Sequence, residues 1–263
     1  MRFSYNRICR LHILKGFLRS FGFIQKEHSM DIDRFANNYG PPSDVENLPN
    51  LEGIFWSNQG PIVHKWHHYL PIYERHFGSY RSKNLKFLEI GVSKGGSLAI
   101  WRKYFGPDAI IYGVDIDPTC MVSNGEHGQV RIGSQDDAKF LKSVVEEMGG
   151  VDIVLDDGSH FSKHIRASLE TLFPLLSDGG IYMVEDLHTT YWKSHQGGYQ
   201  KSNSFIGDIR QMYDDMHHWY HSKGQKVDAT ANNLSSMHLY DSIAVLEKNK
   251  VGRPQHSQVG TIK

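Results

Sequence analysis

From residue 86 onward, short apolar runs alternate with stretches in which apolar side chains recur every three or four positions. The runs are typical of buried strands, and the spaced positions are typical of amphipathic helices. Strands that alternate with helices indicate a parallel sheet covered by helices on both faces. A glycine pair at 179–180 is expected to stop the segment before the last of these strands. The predicted strands are residues 87–90, 110–114, 130–132, 151–155 and 181–184.

The last third of the chain departs from this alternation. Apolar positions from Phe205 to Trp219 or Tyr220 indicate one more helix, which Gly224 would end. Two strand-like runs follow at 237–240 and 243–247, and only two residues separate them, too few for a parallel crossover. We therefore predict an antiparallel C-terminal hairpin. The resulting mostly parallel seven-stranded sheet resembles the Rossmann-like α/β fold of class I S-adenosylmethionine-dependent methyltransferases.

The two ends of the chain have a different character from this central region. The first 26 residues carry six Lys or Arg side chains and no acid, interleaved with Leu, Ile and Phe. This pattern fits either a membrane-surface helix or a poorly ordered extension, and Met30 offers a later start. Residues 38–60 contain three prolines and predict an irregular lead-in. We expect an extension over residues 1–60, one domain over 61–248 and a tail over 249–263.

Composition narrows the possible partners and the compartment. The 29 basic and 29 acidic residues leave no net charge, so a nucleic-acid partner recruited by overall basicity is disfavoured. Cys9 and Cys120 are too few for a disulfide scaffold and favour a reducing compartment. No run reaches the roughly 18 apolar residues of a membrane span. We expect a cytoplasmic protein without a transmembrane segment, associated with membranes at most through its basic N-terminal segment.

The first predicted strands end in groups suited to a nucleoside-like cofactor. Glu89 precedes a glycine-rich turn with Gly91 and Ser93, and the helix after it offers N–H groups to a carboxylate. Glu89 is then placed near the ammonium of a methionine moiety, and Asp115 near two ribose hydroxyls, although a lone acid there is commonly a turn residue. Further along the chain, Ser134 caps the next helix or borders the adenine. The other expected cofactor contacts are Gln135 and Asp156.

Three carboxylates follow two predicted strands that lie side by side. Asp157 ends one strand, and Glu185 and Asp186 end the next, about 4.8 Å away. Like charges so close repel one another unless a cation lies among them. Oxygen ligands suit Mg²⁺ or Mn²⁺. His160, three residues beyond Asp157, is predicted as the general base, with His188 and, on the next helix, His164 as competing candidates.

Four motifs together resemble the metal-dependent sugar O-methyltransferases, which include enzymes that methylate deoxysugars of macrolide antibiotics and rhamnosyl O-methyltransferases. The motifs are FLEIGVSKGGSL at 87–98, YGVDIDP at 112–118, DIVLDDGSH at 152–160 and GGIYMVEDLH at 179–188. The resemblance extends from about residue 66 to residue 247. The stretch WHHYLPIY at 66–73 resembles the lead-in helix of that family, where an aromatic side chain approaches the cofactor.

This resemblance implies S-adenosylmethionine and Mg²⁺ as cofactors, and it assigns roles to residues that match the motifs. It implies that Asp157, Glu185 and Asp186 bind the metal and that His160 is the base. Tyr69 in the lead-in helix, Glu89, Asp115 and Gln135 would contact the cofactor. The glycine-rich turn carries Ser93 where many methyltransferases have a second glycine.

The predicted reaction is methylation of a sugar or another vicinal diol, with a small molecule or a glycan as acceptor. Residues 188–205 are interpreted as a lid over the acceptor, with Tyr191 and Trp192 facing the sugar, or as an ordinary surface loop. An iron- and 2-oxoglutarate-dependent hydroxylase is one alternative, since Asp157, His160 and His188 would mimic its ligands, but the βα alternation argues against it. A non-catalytic S-adenosylmethionine-binding module is the other alternative. The sequence also leaves a homo-oligomer open.

Overall fold

Seven strands of the described residues form one sheet. The computed structural model describes residue 48, residues 50–222 and residues 227–261. Along the sheet the order is β3-β2-β1-β4-β5-β7-β6, where the strands are β1 (Lys86–Ile90), β2 (Ile110–Asp115), β3 (Gln129–Ile132), β4 (Val151–Asp156), β5 (Leu176–Val184), β6 (Leu234–Leu239) and β7 (Ala244–Lys248). β1 to β5 are parallel, whereas β7 is antiparallel to both β5 and β6. The predicted class I methyltransferase fold, including its terminal hairpin, is confirmed.

Helices cover both faces of this sheet, because neighbouring side chains of a buried strand point to opposite faces and both sets are apolar. Phe87 and Ile153 belong to the core on one face, and Leu88 and Val154 belong to the core on the other. The α-helices are α1 (Asn50–Trp56), α2 (Leu70–Phe77), α3 (Gly96–Phe105), α4 (Ala138–Met148), α5 (Ser162–Leu172) and α6 (Phe205–Met216). The first three contribute to the core with Phe87, and the last three to the core with Leu88.

The structure corrects three details of the predicted elements. Residues 50–56 form helix α1 and are not irregular, since Leu51 is buried in the core with α2 and α3. The glycine pair at 179–180 lies inside β5 and does not stop the segment before it. α6 ends at Met216, while Trp219 and Tyr220 belong to a separate, partly exposed 3₁₀ turn.

Several predictions about the ends of the chain fall on residues outside the described ranges. They concern the basic segment 1–26, the start at Met30, the lead-in up to residue 47 and the helix end at Gly224. Within the described ranges, no helix is long and apolar enough to cross a bilayer. After β7, the N–H groups of Asn249 and Val251 still donate to carbonyls of Asn233 and Asn232, whereas residues 252–261 are exposed.

The parallel topology brings the carboxyl ends of the five strands β1 to β5 to the same edge of the sheet. Three N–H groups just beyond the strands continue the hydrogen-bond ladder: Gly91 donates to Val114, Asp157 to Ile90, and Glu185 to Asp156, at 2.8–2.9 Å. The loops that leave these strands therefore start in register. Ligands of open α/β sheets bind beyond this edge.

Candidate active site

Asp157 and Glu185 lie close together at the ends of β4 and β5, as predicted, and Lys65 lies between them. The Lys65 ammonium donates to Asp157 Oδ2 at 2.5 Å and to both oxygens of Glu185 at 2.8 and 3.0 Å. Its side chain is 6% exposed. Sequence reasoning missed Lys65, because it belongs to no motif and precedes the first strand by 21 positions (86 minus 65). Only the fold of the segment before α2 brings it to this edge.

The charges of the surrounding carboxylates explain why the Lys65 ammonium lies between them. Burial by itself would lower the pKa of Lys65, but the carboxylates of Asp157 and Glu185 raise it above its ordinary value, so the group stays an ammonium. Burial and the charge of Asp157 raise the pKa of Glu185, and Lys65 opposes this rise. One ammonium thus balances part of the charge of a group of buried acids. The arrangement stabilises positive charge at this position.

Asp186 completes the cluster from the residue after Glu185, and three groups favour its charged form. Burial raises its pKa, but His160, His188 and a hydrogen bond from Tyr69 together lower it below the ordinary value. The Tyr69 hydroxyl donates to Asp186 Oδ1 at 2.7 Å, and the side chain of Tyr69 is fully buried. The structure therefore gives Tyr69 the role of holding a predicted metal ligand. Its predicted contact with the cofactor stays a prediction.

His160 faces the carboxylates from the turn after β4. Its Nε2 lies 3.6 Å from Asp186 Oδ2 and 3.9 Å from Asp157 Oδ1. Both His160 (φ 59°) and Asp186 (φ 54°) have left-handed backbone conformations, which non-glycine residues rarely adopt and which concentrate at functional sites. These two turns thus aim an imidazole and a carboxylate at the same point. His188 lies on the far side of Asp186, with Nδ1 3.9 Å from Asp186 Oδ1 and 2.9 Å from Ser242 Oγ.

The donor set fits a hard divalent cation. Asp157, His160 and Asp186 each offer one ligand atom, and these atoms lie within 4.8 Å of one another. Carboxylate oxygens dominate the cluster, as Mg²⁺ and Mn²⁺ prefer. The group contains one imidazole and two carboxylates, whereas the non-haem iron oxygenases use two histidines and one carboxylate. Of the three predicted magnesium ligands, Asp157 and Asp186 belong to this group, whereas the two oxygens of Glu185 accept hydrogen bonds from Lys65. The donor set differs from that of the hydroxylase alternative, and Glu185 as a metal ligand stays a prediction.

Asp115 holds the glycine-rich turn that was predicted to receive the cofactor. Its Oδ2 accepts the N–H groups of Val92 and Ser93 at 2.9 and 3.0 Å, and its Oδ1 accepts the N–H of Asp117 at 2.9 Å. A carboxylate has about four acceptor positions. One position on Oδ1 is therefore left for a ligand hydroxyl. This arrangement leaves room for one of the two predicted ribose hydroxyls and shows in addition that Asp115 stabilises the turn.

Gly91 allows the turn after β1 to contact the turn after β4. Its φ is +97°, and a Cβ at this position would lie 2.1 Å from the carbonyl oxygen of Asp157. Only glycine satisfies both conditions. The cofactor turn after β1 thus rests directly on the backbone of a predicted metal ligand.

Glu89 lies beneath this turn, fully buried. It accepts hydrogen bonds from Ser97 Oγ at 2.8 Å and from Trp101 Nε1 at 3.1 Å. Burial raises the pKa of Glu89 to about 7, although the nearby Lys65 ammonium opposes the rise. The negative charge of Glu89 is therefore only partly balanced by its neighbours, and a further positive group would stabilise the charged form. This agrees with the predicted contact with the ammonium of the cofactor.

Gln135 and Asp156 form an internal network under the turn that carries His160. Gln135 Nε2 donates to Asp156 Oδ1 at 3.1 Å, and Gln135 Oε1 accepts the N–H of Ser159 at 2.7 Å. Asp156 also accepts hydrogen bonds from Ser168 and Tyr182. Both side chains are buried, so the structure gives them a positioning role. Their direct contact with a cofactor stays a prediction.

Ser134 lies at the entrance to this network, and its hydroxyl donates to Asp136. It does not cap the following helix. The cap of α4 is Asp137, whose carboxylate accepts the N–H groups of Lys139 and Phe140. Ser134 is thus left at the edge of the sheet, where the adenine contact was predicted.

A cavity of about 410 Å³ opens beside His188. Ligand pockets typically have volumes of roughly 300–1,000 Å³. Among its lining residues are Tyr191, Arg210, Tyr240 and Asp241. Of the predicted lid residues, Tyr191 lines this cavity, whereas the ring of Trp192 packs against His188 at 4.8 Å. The segment after β5 therefore contributes directly to the wall of a ligand-sized space.

Comparison with known proteins identifies relatives of the central region. A protein-family model described as a methyltransferase domain matches residues 88–187. The 8-demethyl-8-alpha-L-rhamnosyl tetracenomycin-C 2'-O-methyltransferase of Streptomyces olivaceus is 34% identical over 222 residues, 78% of this chain and 56% of the relative. The 3'-O-methyltransferase that acts on 8-demethyl-8-(2-methoxy-alpha-L-rhamnosyl)-tetracenomycin-C, also from S. olivaceus, is 38% identical over 70% of this chain and 50% of the relative. The chain spans about half the length of the curated relatives it matches.

Among solved structures, the MycE methyltransferase of the mycinamycin biosynthetic pathway is similar to this chain. Its complex with Mg, SAH and mycinamycin VI matches with a TM-score of 0.70 and 32% sequence identity, covering 78% of this chain and 54% of MycE. The similarity therefore extends over most of this chain and about half of MycE.

Proposed function

Because this chain contains a methyltransferase domain and is homologous to sugar O-methyltransferases, we propose that it transfers the methyl group of S-adenosylmethionine to a hydroxyl group of a sugar. The acceptor would be a glycosylated natural product, since the relatives act on tetracenomycin and mycinamicin glycosides. The observation that carries the proposal is the meeting of Asp157, Glu185, Asp186 and His160 at the carboxyl edge of the sheet.

Asp157, Glu185 and Asp186 would hold Mg²⁺, an ion present in the MycE complexes. A bound divalent cation supplies Lewis acidity, which lowers the pKa of a hydroxyl that it coordinates and holds the acceptor in place. An acceptor with two vicinal hydroxyls would suit this arrangement, because both of its oxygens are of the kind that a hard cation prefers. Lys65 keeps Asp157 and Glu185 close together, and Tyr69 keeps Asp186 oriented.

His160 takes the proton from the acceptor hydroxyl. Its Nε2 lies close to two of the carboxylates, so a hydroxyl bound at the cluster lies within reach of the imidazole. The carboxylate of Asp186 stabilises the imidazolium as it forms. His188 is held by Ser242 and packs against Trp66 and Trp192, and this environment suits orientation of Asp186 and of the acceptor.

The cofactor lies beyond β1 and β2. Asp115 offers its remaining acceptor position to a ribose hydroxyl, and Glu89 lies where the methionine ammonium would compensate its charge. Gly91 places this cofactor turn against the backbone of Asp157, so the methyl donor and the acceptor hydroxyl are held side by side. This positioning supplies much of the rate enhancement in a bimolecular transfer.

The cavity beside His188 would receive the acceptor. Tyr191 and Tyr240 offer flat apolar faces for a sugar ring, while Arg210 and Asp241 offer polar groups for its hydroxyls. His188 belongs both to the wall of this cavity and to the surroundings of Asp186. The acceptor would therefore extend from the cavity to the carboxylates.

The test combines calorimetric titration with a methyl-transfer assay on 8-demethyl-8-alpha-L-rhamnosyl tetracenomycin-C. We expect the wild type to bind S-adenosylhomocysteine and Mg²⁺, and Asp157→Asn to lose the Mg²⁺ site while it keeps the cofactor. Asp137→Asn is the matched control, because an asparagine caps a helix as well as an aspartate does. We expect His160→Ala to lower methyl transfer by roughly 10²–10⁴-fold with cofactor binding unchanged.

His188→Ala serves as the comparison for the base, and we expect it to lower methyl transfer less than His160→Ala does. A larger loss in His188→Ala would transfer the role of base to His188. A wild type that binds no S-adenosylhomocysteine would overturn the proposed function. Cofactor binding without methyl transfer to any glycosylated acceptor would favour the non-catalytic module.

A further inference from the structure

Two histidines and a glutamate meet at a place that the proposed reaction does not use. His76 lies in the last turn of α2, His238 on β6 and Glu247 on β7. Glu247 Oε1 is 3.7 Å from His76 Nδ1 and 3.4 Å from His238 Nε2. The ligand atoms of the three residues lie within 4.8 Å of one another. Three separate elements thus direct nitrogen and oxygen donors at one point.

This cluster is separate from the carboxylates at the edge of the sheet. Glu247 pairs with Ile181 in the register of β5 and β7, and Glu185 follows Ile181 by four positions. Four positions along a strand correspond to about 13 Å. The cluster therefore lies well before the carboxyl end of β5, on the hairpin side of the sheet.

We propose that His76, His238 and Glu247 form a metal site that binds one Zn²⁺ ion between α2 and the β6–β7 hairpin. Two imidazoles and one carboxylate are a common ligand set for this ion. Tetrahedral coordination with bonds of 2.0–2.1 Å places ligand atoms about 3.4 Å apart, close to the two distances at Glu247 Oε1. Small side-chain movements are enough to complete the site.

The surroundings of the three ligands support this assignment. The second nitrogen of His76, Nε2, lies 2.9 Å from the Tyr240 hydroxyl, which fixes the ring with Nδ1 towards Glu247. Ser236 Oγ donates to Glu247 Oε2 and leaves Oε1 for the ion. Metal-binding imidazoles and carboxylates in proteins are usually held by such outer partners. His76 is buried, whereas the side chains of His238 and Glu247 are 40% and 35% exposed, so an ion and a fourth, water ligand can enter from solvent.

Zinc at this position would fasten α2 to the hairpin. α2 directly follows the segment that carries Lys65 and begins next to Tyr69, and both residues contact the predicted magnesium ligands. The ion would hold the lead-in helix against the β6–β7 hairpin. It takes no part in the methyl transfer itself.

The experiment is a Zn²⁺ titration of tag-free, chelator-treated protein, followed by calorimetry, in the presence of saturating Mg²⁺. Mg²⁺ occupies oxygen-ligand sites and competes poorly for imidazole nitrogen. We expect one Zn²⁺ per chain and a higher melting temperature with zinc. His238→Ala and Glu247→Gln each remove a metal ligand. Removal of a residue that only hydrogen-bonds a ligand typically lowers metal affinity roughly 10–100-fold, and we expect these two variants to lose more than that.

His256→Ala is the matched control, since His256 is exposed in the tail and we expect it to leave zinc binding unchanged. Visible absorption typical of tetrahedral Co²⁺ should appear in the wild type and disappear in His238→Ala. The proposal is overturned if the wild type binds no Zn²⁺ under these conditions, or if His238→Ala and Glu247→Gln bind it as tightly as the wild type. Both variants alter half-exposed side chains, and their melting curves in the absence of zinc show directly that they fold.

Discussion

Burial of Glu89 lowers the stability of the folded protein at neutral and higher pH, while it places a carboxylate where the cofactor is predicted to bind. The side chain is enclosed, and its hydrogen bonds from Ser97 and Trp101 compensate only part of the loss of water. Its pKa is raised to about 7 by burial. In the folded protein, the proton is therefore bound more tightly than in the unfolded chain, whose ordinary value is 4.5. The stabilisation that this provides is complete below about pH 4.5 and is lost as the pH rises towards 7.

We expect Glu89→Gln to be more stable than the wild type at about pH 8 and similar to it near pH 4.5. The difference between 4.5 and about 7 corresponds to about 3 kcal/mol of unfolding free energy. Urea denaturation across this pH range measures it, with the exposed Glu146→Gln as the control that shows no pH-dependent difference. The same variant should bind S-adenosylhomocysteine more weakly, because it lacks the charge that compensates the ammonium. A stability difference that stays constant with pH would contradict the raised pKa of Glu89.

At the residue scale, the acids at the strand ends could be predicted from sequence, whereas their supporting partners could not. Asp157 and Glu185 directly follow apolar runs, and parallel strands bring such positions together. Lys65 and the hydrogen bond from Tyr69 to Asp186 depend on where the segment before α2 folds back onto the sheet. No local pattern encodes that placement.

At the scale of elements, two turns are coupled by direct backbone contact. One joins β1 to α3, and the other follows β4. Gly91 allows the first turn to touch the carbonyl of Asp157 in the second. A side chain on Gly91 would therefore disturb the predicted magnesium site without altering any ligand.

We expect Gly91→Ala to lower Mg²⁺ affinity at least about tenfold and Gly125→Ala to leave it unchanged. Both glycines have a positive φ, +97° and +104°, so both substitutions should cost about 1–2 kcal/mol of stability from the left-handed backbone. Only at Gly91 would the new Cβ also collide with a neighbouring backbone, since no atom lies within 4 Å of the corresponding position at Gly125. Thermal melts and Mg²⁺ calorimetry separate the two effects. Equal Mg²⁺ affinity in both variants would contradict the coupling of the two turns.

The strands were predictable as elements because buried parallel strands are continuous apolar runs. The errors have physical causes. The glycines at 179–180 fall where the pairing of β4 and β5 shifts register between Val151 and Ile153, so they bend the strand without ending it. Helix α1 was missed because the prolines that precede it indicated an irregular segment. Packing of Leu51 in the core stabilises this helix.

At the scale of the whole molecule, the described active-site residues all come from one compact unit. The described residues from Asp44 to Lys263 belong to one compact unit. Every predicted contact with cofactor or metal, from Tyr69 to Asp186, lies in this unit, and so does Lys65. The sheet needs only this unit to bring its strand ends together, and the topology alone decides which side chains meet.

We therefore expect a shortened chain, residues 44–263, to bind S-adenosylhomocysteine and Mg²⁺ with affinities within a factor of about two of those of the full chain. The reason is that ligand affinity depends on side chains that meet at the sheet edge, and all of these are retained. Calorimetry on both proteins measures it, with thermal melts to show that each is folded. If the shortened chain melts normally but has lost either ligand by tenfold or more, residues 1–43 contribute to the site.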